Sequence, residues 1–124
     1  MKDKRHQLGR DSEHLAAQYL KKNGYEIIQH NFRTRQGEID IIARENNTIV
    51  FVEVKSRRST SYGHAVQALT RKQQIRLSKT ALTYLYQHQL LNRSARFDVV
   101  AIQQDPQCGL DIRLIKNAFE FHRQ

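Results

Sequence analysis

Cysteine and proline occur once each in the 124 residues, as Cys108 and Pro106. A lone cysteine excludes a disulfide framework and a cysteine-based zinc site, so Cys108, between Pro106 and Gly109 in an expected turn, is read as an incidental thiol. No apolar run approaches the roughly 18 residues of a membrane span, and the N-terminal MKDKRHQLGR lacks the apolar centre of a secretory signal. A cytoplasmic protein without membrane attachment is expected. Internal repeats and low-complexity segments are missing too. Acids are in the minority: 12 Asp and Glu stand against 21 Lys and Arg, a formal net charge of +9. Such a balance favours a polyanionic partner, nucleic acid ahead of an anionic membrane surface. The length suits one domain, residues 1–124, built as a single sheet with helices.

What the chain does have is the stretch Gly37 to Lys55, GEIDIIARENNTIVFVEVK. Ile39 to Ile42 and Ile49 to Val52 are β-branched and aromatic runs, and Asn46-Asn47 between them suits a tight turn because Asn tolerates positive φ. With those two residues as the loop, partners sum to 93, which sets Asp40 across from Glu53 and Glu38 across from Lys55. All four then share one face. Two facing carboxylates repel by about 0.2–1 kcal/mol when exposed and by more when buried, and a divalent cation removes that penalty. Glu53 and Lys55, two apart on a strand, project to the same face, with Val52 and Val54 on the other.

Around this hairpin the rest falls into place. Residues 1–9 are polar and basic, read as a loose arm. A first helix is expected from Asp11 to Lys22, with Leu15, Ala16, Tyr19 and Leu20 at helical spacing, Asp11 or Ser12 as N-cap and Asn23-Gly24 as the stop. Glu13 lies on the margin of its buried face, either as an acid favouring the helix dipole or as a metal ligand. Tyr25 to Phe32 reads as a first strand, and Gly37 as a bend or bulge. The loop SRRSTSYG, residues 56–63, leaves directly from the carboxylate face, and Arg57 and Arg58 make it either a phosphate clamp or a solvated basic loop.

Residues 65–90 lack Pro and Gly and predict a long second helix. It carries two apolar stripes, Val66, Leu69, Leu77, Ala81 and Tyr84 on one and Ala68, Ile75, Leu82 and Tyr86 on the other, implying packing on two sides. Lys72, Arg76 and Lys79 share a basic face, solvated or applied to a nucleic-acid backbone. Gln73 interrupts the first stripe, either as a polar group reaching the site or as an unremarkable residue at the stripe's end. Arg96 to Gln103 and Leu110 to Ile115 form a second hairpin, the former apolar on both faces as an inner strand requires. Asn117 to Gln124 is a tail able to cap an exposed edge.

Asp40, Glu53 and Lys55 together make a kit for phosphodiester cleavage: two carboxylates to hold a hard cation such as Mg²⁺ or Mn²⁺, and an ammonium to orient water or offset charge on phosphate. The alternative is a pair of ordinary cross-strand salt bridges, Glu38 with Lys55 and either carboxylate with a loop arginine.

The order Glu13, Gly37-Glu38-Ile39-Asp40, Phe51-Val52-Glu53-Val54-Lys55, a long helix, then Arg96-Phe97-Asp98-Val99-Val100 resembles the PD-(D/E)xK nuclease superfamily. More closely it resembles the bacterial YraN or UPF0102 family, itself similar to archaeal Holliday-junction resolvases. Ile39 stands where the superfamily name has Pro. The resemblance implies an α/β, restriction-endonuclease-like fold, a mixed central sheet in an α-β-β-β-α-β core flanked by helices. It implies Asp40 and Glu53 as metal-binding carboxylates, Lys55 as the catalytic lysine and Glu13 as the acid on the first helix. The expected activity is metal-dependent hydrolysis of structured or branched DNA, with Mg²⁺ or Mn²⁺ as cofactor and Arg57, Arg58, Lys72, Arg76 and Lys79 as phosphate contacts. The Val54 carbonyl is a candidate further ligand. A homodimer suits the two symmetric cuts of a resolvase. The rival expectation is a non-catalytic nucleic-acid-binding module that keeps the fold.

Overall fold

A computed structural model describes residues 4–57, 69–105 and 109–122; the side chains of residues 4–10, 57 and 105 are not among those described. The elements run α1 (Lys4–Lys22), β1 (Glu26–Thr34), β2 (Gly37–Glu45), β3 (Thr48–Arg57), α2 (Arg71–Gln87), β4 (Ala95–Asp105) and β5 (Gly109–Phe119). The five strands form one sheet in the order β1-β2-β3-β4-β5. Neighbours are antiparallel except β3 and β4, which run parallel across the connection that contains α2. This is a mixed α/β sheet in α-β-β-β-α-β order, extended by β5.

Among the described residues, one helix covers each face. Ala16, Ala17 and Leu20 of α1 pack on Ile41, Val50, Val52 and Val100, while Leu77, Ala81 and Tyr84 of α2 pack on Ile42, Phe51, Phe97 and Val99. Adjacent Val99 and Val100 thus serve opposite cores, which is why β4 is apolar throughout. Helix α1 ends where Asn23-Gly24 predicts: Gly24 has φ 89°, its N–H reaches the Lys21 carbonyl, and the Tyr25 N–H reaches that of Leu20, the paired bonds of a glycine C-terminal cap.

Several boundaries differ from the expectation. Helix α1 starts at Lys4, so the backbone of residues 4–10 is helical and Asp11 and Ser12 lie inside the helix. Lys, Arg, Gln and Leu are good helix formers, and Gly9 costs only about 1 kcal/mol, too little to stop it. Helix α2 is shorter than 65–90. Thr70 caps it, its hydroxyl accepting from the Gln73 N–H at 3.1 Å and its own N–H donating to Gln73 Oε1 at 3.0 Å, a reciprocal pair that fixes the start; Val66 and Ala68 lie outside the described residues. Only one stripe of α2 is buried. Leu82 is 41% and Tyr86 73% exposed, because α2 lies on the sheet with a single face.

The C-terminal segment does not cap an edge. It extends β5, the edge strand itself, to Phe119 and then folds over the α2-side core, with Phe119 stacked on Phe97 at 4.5 Å and the His122 N–H donating to Ser78 Oγ at 3.0 Å. Ser56 and Arg57 belong to β3 rather than a loop. Residues 58–68, with Arg58, and 106–108, with Cys108, lie outside the described residues.

At the turn end of the β2–β3 hairpin every charge is matched. Asp98 is fully buried, yet its carboxylate accepts from the Tyr25 hydroxyl at 2.7 Å, Arg96 Nε at 2.9 Å and the Asn117 N–H at 2.9 Å. Arg96 Nη2 also donates to Tyr25 Oη and to Glu45 Oε1, and Lys116 Nζ donates to Glu45. Four elements are tied by it: the strand start after α1, the hairpin turn, β4 and β5.

Candidate active site

The opposite end of the hairpin is built differently. From Glu45↔Thr48 to Ile41↔Val52 the partners sum to 93, as the Asn46-Asn47 turn predicts, with Asn46 at φ 54°. Beyond Val52 the two strands part. β2 stays with β1 down to Thr34↔Gly37, and β3 stays with β4 to Arg57↔Gln103. Asp40 and Glu53 are therefore not ladder partners, and the Glu38–Lys55 pair is not formed: Glu38 faces Arg33 on β1, 3.3 Å from its Nε, and Lys55 faces Ala101 on β4. A fork opens because β4 carries β3 away from β2.

Asp40 sits in that fork. Its Oδ2 accepts the Val54 N–H at 2.8 Å, replacing the strand partner that β2 no longer supplies. The carboxyls of Asp40 and Glu53 lie against one another, within hydrogen-bonding reach. Burial pushes the Glu53 carboxyl up to about 9, with the charge and hydrogen bond of Asp40 adding to it and Lys55 opposing. Burial also raises Asp40, while the Val54 amide and the Glu53 hydrogen bond pull it down. Glu13, half-buried on α1, is raised first by burial and then by the charge of Asp40, against a hydrogen bond from Asn31. The three sequence-nominated acids thus lie in one neighbourhood. Among the described residues no three His, Cys, Asp or Glu side chains form a ready-made metal cluster.

Glu53 and Lys55 face a cleft of about 190 Å³ whose walls include Glu38, Gln73, Arg76 and Leu77. Val52 and Val54 point the other way, into the α1-side core. A second cleft of about 540 Å³, lined by Thr34, Arg35, Gln36, Gly37, Arg76 and Lys79, shares Gly37 and Arg76 with the first. The ridge is tight: a Cβ on Gly37 would meet Thr80 Oγ1 at 3.1 Å and Arg76 Cβ at 3.7 Å. Gly37 is therefore needed for close approach of the β1–β2 turn to α2; it has no positive φ and makes no bulge. Lys72 is exposed on α2 and lines neither cleft. The side chain of Arg57 and all of Arg58 are outside the described residues.

Sequence reasoning missed Arg35, Asn31 and the capping role of Gln73, although it offered Gln73 as a polar group reaching the site. Arg35 stands two residues before Gly37 in a tight turn, and that adjacency was the available signal. Gln73 serves both as the third residue of the α2 cap and as cleft wall, and Thr-x-x-Gln ahead of an apolar stripe was legible as a capping box.

The profile of the uncharacterised protein family UPF0102 matches residues 12–102, spanning both acids, the lysine and β4. The chain belongs to the UPF0102 family. A UPF0102 protein of Syntrophus aciditrophicus is 53% identical over 112 residues, covering 90% of this chain and 87% of its own. One of Caldicellulosiruptor saccharolyticus is 47% identical over 114 residues, covering 91% and 97%, and one of Persephonella marina is 42% identical over 112 residues, covering 90% and 92%. UPF0102 is thus a PD-(D/E)xK nuclease-like family in its motif order, and the fork that separates β2 from β3 is where its motif residues meet. Among the described residues no helix is long and apolar enough to cross a membrane.

Proposed function

We propose that this UPF0102 protein is a metal-dependent endonuclease acting on structured or branched DNA. The observation that carries the proposal is the half-buried Asp40–Glu53 pair, which has no arginine partner among the described residues and lies beside Lys55 at the mouth of a cleft. Burial and the charge of Asp40 both work against an ionised Glu53, so ionising both acids calls for a positive partner. The donor set is all oxygen and fits a hard cation, which would allow both to ionise. Asp40 and Glu53 would hold Mg²⁺ or Mn²⁺, with Glu13 and the Val54 carbonyl as further donors. When bound, the cation supplies Lewis-acid polarisation of a phosphoryl oxygen and a more acidic water.

The chain's own groups do the rest. Lys55, on the same strand face as Glu53, orients the attacking water and offsets charge on the phosphoryl oxygens. Arg76, on the ridge between the two clefts, and Arg35 and Lys79 beyond it, hold backbone phosphates on one side of the reacting bond. Among the described residues these three have no carboxylate partner, whereas Arg33, Arg44 and Arg96 do. Three unpaired cations around a cleft without an acid in its lining suit a polyanion.

The test is a panel of four-way junctions, flaps, duplex and single strands incubated with purified protein and Mg²⁺ or Mn²⁺, and in parallel with chelator. Cleavage that needs the cation and favours branched substrates supports the proposal. Tight binding with no cleavage of any substrate leaves a non-catalytic nucleic-acid-binding module in its place.

A further inference from the structure

Besides the bulge between Ile27 and Gln29, strand β1 leaves a second gap in its ladder with β2. His30 pairs with Ile41 and Phe32 with Ile39, so the register is the same on both sides, yet Asn31 and Asp40, which lie between those rungs, are not partners. Asn31 has φ 53°, in the left-handed region that asparagine tolerates better than most side chains and that a strand interior does not call for. The residue is exposed, so core packing gives no reason for it. The local twist does have a visible effect on β2: Ile41 and Ala43 pack in the α1-side core and Ile42 in the α2-side core, but Ile39 also joins the α2 side, so the two-residue alternation breaks at Asp40. On the α1 side of the same spot the Asn31 side chain is hydrogen-bonded to Glu13.

We propose that Asn31 is a positioning residue for this site: its left-handed backbone opens the β1–β2 ladder where Asp40 leaves it, and its side-chain amide holds the Glu13 carboxylate beside Asp40. The inference rests on the reading of Glu13, Asp40 and Glu53 as cation ligands. It explains why asparagine stands there. Glycine would supply the backbone angle without the amide, and aspartate the angle and shape with an acceptor in place of the donor.

Those two substitutions are the test. Mn²⁺ titration of the full chain, followed by the loss of the free-ion paramagnetic resonance signal, gives the affinity without any substrate. Asn31→Gly and Asn31→Asp are expected to weaken Mn²⁺ binding by about tenfold, the lower end of what outer-shell partners contribute, with Asn31→Gly unfolding at the wild-type temperature. Glu13→Gln is expected to weaken binding similarly, and adding Asn31→Gly to it to cause no further loss, since the amide acts through Glu13. A purely structural role would not produce that non-additivity. Wild-type affinity in Asn31→Gly, or losses that multiply in the double variant, overturns the inference alone. A wild type that takes up no Mn²⁺ overturns the cation reading and this inference with it.

Discussion

Strand β2 carries an acid at the turn, Glu45, and another at the fork, Asp40, about 17 Å apart along the strand for five residues at 3.4 Å each, and the fold treats the two surroundings in opposite ways. Glu45 at the turn and Asp98, on β4 beside Val52, are clasped by Arg96, Lys116 and the Tyr25 hydroxyl. At the fork, Asp40 and Glu53 lie against each other with one backbone amide donating to Asp40. The first arrangement is what a sequence does with acids to hold a fold. The second places two acids side by side in a buried spot that works against ionising both, with a lysine on the same strand face, and that contrast is what supports the proposed function at the fork.

Breaking the turn end has the largest expected effect on stability. Asp98→Ala strips the partner from Arg96, the Tyr25 hydroxyl and the Asn117 N–H together, and is expected to cost about 3–5 kcal/mol, the range for removing one member of a buried ion pair; chemical denaturation reads it as a lower midpoint. At the fork the sign reverses with pH. Glu53 is raised from an ordinary 4.5 to about 9, so between those values the folded state keeps a proton that the unfolded state has lost. Stability therefore falls as pH rises through that window. Thermal melts from pH 5 to 9 should show the decline in wild type, a flatter profile in Glu53→Gln, and restoration of the alkaline loss by Mn²⁺.

Smaller effects test the ridge between the clefts. Gly37→Ala pushes on Thr80 Oγ1, which is itself bonded to the Arg76 carbonyl at 2.8 Å, and should cost about 1–2 kcal/mol through overpacking. The single changes Arg35→Ala, Arg76→Ala and Lys79→Ala should each leave folding intact and lower the slope of log affinity against log salt by about 1 for DNA. Anisotropy titrations with chelator present, at several salt concentrations, separate this from catalysis. Lys21→Ala and Lys22→Ala, at the far end of α1, should leave the slope unchanged.

What could be read in advance was whatever is local or periodic. Period two on the strands and the Asn46-Asn47 turn gave the register as far as Ile41↔Val52, and Val99-Val100 announced a strand covered on both sides. The fork was not legible, because it depends on β4 pairing with β3 out to Arg57, a partner more than forty residues away in the chain. Hence Glu38 and Lys55 were set opposite one another when each has a different neighbour. Helical spacing marked Leu82 and Tyr86 as apolar but could not say that α2 would be covered on one side only. Asn31 was not legible, since an asparagine inside a run read as a strand does not by itself announce a left-handed angle. Resemblance of motif order, and not periodicity, brought Glu13 to the site.

The central claim is that the fold keeps Asp40 and Glu53 together at a cost in stability for the sake of phosphodiester cleavage. One preparation of Glu53→Gln, measured twice beside wild type, tests it most directly: melting temperature at pH 8 without divalent cation, and cleavage of a four-way junction with Mn²⁺. The account predicts a variant that melts higher, by about 1–2 kcal/mol of added stability, and no longer cuts. A variant that melts lower, or that cuts as wild type does, would contradict it.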